Sequence, residues 1–188
     1  MTLLDKLLFV PSMLLTIMSD DNWYDRIDNC VIIGALPFRS TIDKLIAEHN
    51  IKGILSMNQK FEINSLWYPT ANEMQSKGVA FMQLPVEDYV GHATWTQAQQ
   101  GLNFIDRFCA INGTVYVHCK AGKYRSALMT ATYLMHKYNI TPIEAESRLK
   151  SHRKQIWLHD AETAVLQTFY DRLNPGQSRL TTPETIRM

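Results

Sequence analysis

His118-Cys119-Lys120-Ala121-Gly122-Lys123-Tyr124-Arg125-Ser126 is the stretch on which the reading of this 188-residue chain turns. A strand-like apolar run, Thr114-Val115-Tyr116-Val117, leads into it, and a helix-like run from Ala127 to Leu134 leads out. Strand, tight loop and helix make the geometry in which successive backbone N–H groups curl around one anion. A cysteine at the base of such a loop feels those dipoles, the helix N-terminus and the guanidinium of Arg125. All three favour the thiolate, so the pKa of Cys119 is expected to fall from about 8.5 into the range of about 3.5–7.5. Arg125 offers a planar fork that can hold two phosphate oxygens at once. Gly122 lets the backbone approach an oxyanion with no Cβ in the way. The constellation suits attack by sulfur on a phosphate held by residues 120–125.

Working outward, the flanking chain alternates strands and helices. Val31-Ile32-Ile33-Gly34-Ala35-Leu36 reads as a buried strand stopped by Pro37, and Ser40 as the N-cap of a helix through Asn50 with Ile42, Leu45 and Ile46 on one face. Residues 51–57 and 79–84 read as further strands. Thr94 caps a helix to about Ala110, and residues 126–138 are apolar nearly all round, the mark of a buried helix. Thr141-Pro142 opens another helix, and a last one is expected over roughly 160–173. The alternation predicts a single α/β domain with a mainly parallel central sheet flanked by helices. Ligands of such sheets collect at the carboxyl ends of the strands, where residues 118–125 would lie.

Length allows one well-cored domain, and the composition is that of a soluble globular protein. With a net charge of +1, nothing points to nucleic acid. Between Tyr89 and Ile143 the acidic residue is Asp106 alone, against Arg107, Lys120, Lys123, Arg125 and Lys137. That imbalance predicts a positive funnel toward an anionic substrate. Three cysteines are too scattered for a disulfide framework and lack metal-ligand spacing, so Cys30 and Cys109 are expected to be small core residues. A free reactive thiol also fits a reducing compartment.

Residues 1–18 form an apolar segment broken by Pro11, with Asp5 and Lys6 as its charges. The run is too short for a membrane span and lacks the features of a transit or signal peptide. A membrane-lying anchor or an atypical targeting segment remains open. The domain proper is expected over 19–173, with a flexible tail over 174–188. The protein is expected to be a monomer.

A thiolate displacing an alcohol from phosphate needs an acid for the departing oxygen, on a loop facing the cysteine. The loop Pro85-Val86-Glu87-Asp88-Tyr89-Val90-Gly91-His92 supplies Glu87, Asp88 and His92, with Gly91 as a hinge.

His-Cys-x-x-Gly-x-x-Arg-Ser is similar to the signature loop of the cysteine-dependent protein tyrosine phosphatase superfamily, in its dual-specificity branch. That resemblance implies a protein tyrosine phosphatase-like fold, no metal and no cofactor. It implies that Asp88, about thirty residues before Cys119, is the acid. It also implies that His118 hydrogen-bonds within the loop scaffold, and that the Ser126 hydroxyl stabilises the thiolate as it leaves the phosphoenzyme. Ser126 is also an ordinary helix-start residue. Further stretches, Trp23-Tyr24-Asp25-Arg26-Ile27, Ile33-Gly34-Ala35-Leu36-Pro37, Met57-Asn58 and 116–122, resemble the mitochondrial phosphatidylglycerophosphatase and protein-tyrosine phosphatase 1 family. The resemblance implies hydrolysis of phosphatidylglycerophosphate on the way to cardiolipin, at the inner mitochondrial membrane, with a cytoplasmic location as the alternative. Lys120 and Lys123, ringing the loop, suit a phosphate on an anionic lipid.

The chain departs from the family in two places. Gln59-Lys60-Phe61-Glu62 stands where the family has a glutamate-rich loop, and Tyr124 replaces the small residue usual before the arginine, where it would narrow or re-aim the pocket mouth. The competing functions are a dual-specificity phosphatase acting on phosphoproteins and, outside enzymes, a phosphate-binding adaptor without turnover.

Overall fold

The computed structural model of the chain describes residues 3–88 and 91–175. Its elements are α1 (Leu3–Met18), β1 (Tyr24–Arg26), β2 (Val31–Gly34), α2 (Ile42–His49), β3 (Ile51–Ser56), α3 (Ala71–Ser76), β4 (Ala80–Gln83), α4 (Trp95–Cys109), β5 (Thr114–His118), α5 (Arg125–Tyr138), α6 (Pro142–His152) and α7 (Asp160–Leu173). The strands form one sheet in the order β1-β2-β5-β3-β4. β2, β5, β3 and β4 run parallel, and β1 closes one edge antiparallel to β2. This is the α/β domain with a mainly parallel sheet that the alternation of strands and helices predicts, in the protein tyrosine phosphatase-like form that the resemblance implies.

The period of two along each strand divides the core. Val31, Ile33, Leu55, Val115 and Val117 face one way, into a cluster with Leu102 and Ile105 of α4, Leu128 and Leu134 of α5 and Leu166 of α7. Ile32, Ile54 and Tyr116 face the other way, against Ile42 and Leu45 of α2, Met74 of α3 and Met13 of α1. Each such Leu or Ile contributes about 1.5–3 kcal/mol on full burial. β5 is buried along its whole length, and its carboxyl end delivers the signature loop to the middle of the sheet. α5 runs back beneath the sheet, buried from Arg125 to Met135.

Local signals fix the helix starts. Thr94 with Gln97, and Thr141 with Glu144, close reciprocal capping boxes, the second with Pro142 just inside the helix. Ser40 does not cap α2: that position belongs to Thr41, whose hydroxyl bonds back to the Phe38 carbonyl. Neither β1 nor α3 stands out in the sequence. β1 is three residues of edge strand with a polar centre, held by pairing with β2 rather than by its own pattern.

The expectation for two of the cysteines is overturned. Cys30 and Cys109 are not merely small core residues, because they are joined in a disulfide across 79 positions, with Cα atoms 5.4 Å apart. Cys30 stands just before β2 and Cys109 ends α4, so β2 begins and α4 ends at the amino end of the sheet. Separation in sequence carries no information about that meeting. α1 runs through Pro11, which is exposed. Among the described residues no helix is long and apolar enough to cross a membrane. The expected tail from 174 lies outside the described residues beyond Pro175, as do Tyr89 and Val90 of the acid loop.

Candidate active site

The signature loop is shaped from outside. Four successive carbonyls are bonded away from its centre: Lys120 to the Leu36 N–H at 3.1 Å, Ala121 to Arg153 Nη2 at 3.2 Å, Gly122 to Arg153 Nε at 2.8 Å and Lys123 to the Trp157 N–H at 2.9 Å. With the carbonyls drawn outward, the intervening N–H groups are left to converge on the interior, which is an anion nest. Gly122 makes the turn at φ 69°, and a Cβ there would lie 2.5 Å from the Gly34 carbonyl carbon. Only glycine fits, on conformation and on space.

Cys119 Sγ lies inside this cup, 2% exposed as a residue, receiving the Gly122 N–H at 3.3 Å and 3.3 Å from the Ser126 hydroxyl. Burial pushes the thiol pKa up, but the Arg125 guanidinium and the hydrogen bonds from Ser126 outweigh it, and the net direction is downward. His118 is fully buried between Tyr68, whose Oη is 2.8 Å from Nε2, and the Cys119 carbonyl, 3.3 Å from Nδ1. A carbonyl only accepts, so Nδ1 carries the proton and Nε2 accepts from Tyr68. Burial, with the Arg125 charge beside it, lowers the imidazole pKa to about 3 and keeps it neutral.

Arg125 is oriented by a carboxylate outside the signature loop. Glu62, 1% exposed, takes Nη1 at 2.6 Å and Nη2 at 2.9 Å in a bidentate pair, while the Val86 carbonyl accepts from Nη1 at 3.1 Å. The guanidinium is thereby fixed beside the loop, and Glu62 in turn accepts the Gln59 N–H at 2.7 Å. Glu62 is the one acid kept from the family's glutamate-rich loop, and that retention was the available signal. Arg153, also 1% exposed, had no such signal; it buttresses the loop and pairs with Asp25 at 2.6 Å.

Asp88 is brought to the site as expected: its carboxylate lies 2.5 Å from Lys120 Nζ and 3.1 Å from Arg125 Nε. Glu87 is exposed, and His92 sits to one side, 3.2 Å from the Tyr124 hydroxyl. Gly91 closes a turn onto the Glu87 carbonyl at 3.2 Å.

The positive funnel does not exist as such. Lys120 pairs with Asp88, Lys123 with Asp21 at 2.6 Å, Arg125 with Glu62 and Lys137 with Asp28 at 3.0 Å, so acids from other segments answer these cations. Arg107 lies instead over the Phe108 ring. An alternation of charge along one stretch cannot reveal partners contributed by folding.

Around the sulfur is a pocket of about 220 Å³ lined by Asp88, Cys119, Lys120, Ala121, Lys123, Tyr124 and Trp157, and also by Ser12, Leu15 and Thr16 of α1. The amino-terminal helix is thus one wall of the site. It is seated by Phe9, stacked on Trp67 at 6.0 Å, and it exposes Val10, Leu14, Leu15 and Met18. A nucleophilic sulfur in an anion nest, an oriented guanidinium and a nearby carboxyl can together perform phosphoryl transfer.

Comparison with known proteins agrees. The model of the dual specificity phosphatase catalytic domain matches residues 37–172. Phosphatidylglycerophosphatase and protein-tyrosine phosphatase 1 of Rattus norvegicus is 33% identical over 177 residues, covering 90% of this chain and 91% of the rat protein. Phosphatidylglycerophosphate phosphatase PTPMT2 of Arabidopsis thaliana is 29% identical over 171 residues, 87% of this chain and 72% of the plant protein. A crystal structure of PTPMT1 in complex with PI(5)P superposes with a TM-score of 0.79 at 32% identity, covering 82% of this chain and 98% of the other.

Proposed function

This chain belongs to the dual-specificity phosphatase family and is a cysteine-dependent phosphatase, and we propose that its substrate is phosphatidylglycerophosphate. In the first step the Cys119 thiolate attacks phosphorus. The S–P bond forms, the ester P–O bond breaks, and the departing alkoxide takes the proton of the Asp88 carboxyl. In the second, the Asp88 carboxylate takes a proton from water, whose oxygen attacks phosphorus, and the thiolate leaves with inorganic phosphate released. Arg125 and the N–H groups of residues 120–125 hold the equatorial oxygens in both steps, and Ser126 donates to the returning thiolate. His118 stays neutral and braces the loop. An entering phosphate competes with Asp88 for Lys120 and Arg125, so the acid moves aside from these cations as the substrate seats.

One observation carries the lipid reading: the catalytic pocket shares a wall with a helix whose other face is apolar and exposed. Leu15 and Trp157, 70% and 52% exposed, line that pocket, and Leu14 and Met18, 53% and 80% exposed, extend the apolar surface of the same helix. Such a rim suits seating on a bilayer while a headgroup phosphate reaches Cys119. The names of the relatives support the same substrate, and a place at the inner mitochondrial membrane rests on the family resemblance alone.

The test compares turnover of phosphatidylglycerophosphate in vesicles with that of phosphotyrosine and phosphothreonine peptides. The lipid is expected to be preferred. Combined Leu14→Ser, Leu15→Ser and Met18→Ser should lower vesicle turnover while nitrophenyl phosphate turnover is kept. Preference for the peptides, with the α1 variant indifferent, would assign the enzyme to phosphoproteins instead.

A further inference from the structure

Tyr124 stands inside the signature loop, and its side chain takes no part in the steps above. Its hydroxyl donates to Glu162 Oε1 at 2.8 Å and lies 3.2 Å from His92 Nδ1. A phenol has one proton. With that proton on the carboxylate, the Oη lone pair must accept, so His92 carries its proton on Nδ1 and donates to the tyrosine. Glu162 is 3% exposed and is itself fixed, because its other oxygen accepts the His159 N–H at 2.7 Å at the start of α7. The imidazole lies 3.6 Å from the same carboxylate, which closes the triangle.

Three parts of the fold meet in this triangle: the signature loop through Tyr124, the first turn of α7 through Glu162, and the segment following the acid through His92. His92 is four positions after Asp88, and the Gly91 turn onto Glu87 joins it back to the chain that precedes the acid. Among the described residues, the ion-pair partners of Asp88 are the two cations that a substrate phosphate would claim. Once the phosphate takes them, something else must keep the carboxyl near the departing oxygen.

We propose that Tyr124 is a positioning residue for the acid: its hydroxyl holds His92 against Glu162 and so keeps the Asp88 segment in register with the signature loop. The tyrosine does not touch the reacting atoms. It acts through Asp88, and the proposal rests on Asp88 being the proton donor. A small residue at this place could not span to His92 and Glu162, which gives the departure at position 124 a physical reason.

The test uses the full chain, with Tyr124→Phe removing one oxygen and keeping the ring. The substrates are dihexanoyl phosphatidylglycerophosphate, whose alkoxide needs a proton, and para-nitrophenyl phosphate, whose phenolate does not. In single-turnover mixing, Tyr124→Phe is expected to slow phosphoenzyme formation from the lipid about tenfold, with KM and the same step from nitrophenyl phosphate changed less than about twofold. His92→Leu should reproduce that split, and His92→Asn, which keeps a donor at the δ position, should restore most of the loss. In an Asp88→Asn background, Tyr124→Phe should cost nothing more, because the two act as one unit. Equal losses on both substrates, or losses that multiply in the double variant, would overturn the proposal. If Asp88→Asn alone slows both substrates equally, the assignment of the acid falls and this proposal falls with it. A leaving-group split for Asp88→Asn but none for Tyr124→Phe sinks this proposal alone.

Discussion

At the carboxyl end of the sheet, four carbonyls of one loop are bonded outward and two buried arginines, Arg125 and Arg153, are each held by a carboxylate. At the amino end, the fastening is a disulfide between Cys30 and Cys109 and one aspartate, Asp28. Asp28 accepts the Cys30 and Val31 N–H groups at 2.8 Å, the Tyr133 and Tyr138 hydroxyls at 2.8 and 2.9 Å, and Lys137 at 3.0 Å. α5 joins the two ends, with Arg125 at its start and Tyr133, Lys137 and Tyr138 near its finish. The carboxyl end spends its polar groups on holding an anion and a thiolate. The amino end has no such duty and uses similar groups to close the fold. Catalysis and stability should therefore separate along one helix.

The sharpest break is Cys119→Ser, which should lower phosphate release by about 10⁴-fold or more while leaving the unfolding midpoint nearly unchanged. Substrate should still bind, since Arg125 and the loop N–H groups remain. Undiminished turnover would end the assignment of the nucleophile. The opposite dissociation comes from Cys109→Ala. Releasing a loop closed across 79 positions should cost about 2–4 kcal/mol in denaturant unfolding, with nitrophenyl phosphate turnover kept at low temperature. A loss of activity without loss of stability would show that the two ends are coupled through α5.

Arg153→Lys keeps a charge against Asp25 but cannot hold two carbonyls with one fork. Loosening the loop should lower kcat by up to about a hundredfold, with a much smaller change in melting temperature. The smallest effect is at Asp28. Burial raises its pKa, but the Cys30 and Val31 N–H groups, Lys137 and Tyr133 overcome this and bring it to about 2. The folded value lies below the unfolded value of about 3.9, so the unfolded chain binds more protons between them. The contribution, about 2 kcal/mol, is present in full above about pH 4 and is lost as pH falls through about 2. Asp28→Asn should flatten the stability–pH curve in that window, and an unchanged acid limb would count against the network.

Legibility differed from residue to residue. Cys119, Arg125 and Ser126 lie within one strand–loop–helix unit, so their spacing alone places them together. Asp88 needed β4 to run parallel to β5 with β3 between them, so that both carboxyl ends open on one site, which the family pattern supplied and composition did not. Glu62, Tyr68 and Arg153 reach the site from 57, 51 and 34 positions away from Cys119 (119−62, 119−68 and 153−119). Tyr68 and Arg153 look like ordinary residues until burial and partner are known, and Glu62 shows only as an acid retained where the resemblance implies a glutamate-rich loop. Asp21 and Asp28 carry no local sign that they oppose the basic stretch.

What the chain determined by itself was periodic or local: alternation in the strands, capping boxes at the helix starts, and the spacing of cysteine, glycine and arginine that closes around an anion. These depend on neighbours within about ten residues, and the backbone enforces them wherever the segment sits. Tertiary structure alone decided the charge partners, the disulfide, the bracing of the loop by Arg153 and the entry of α1 into the pocket wall. Those contacts depend on which segments are packed side by side, a matter of burial over the whole core, and no short window of sequence carries it.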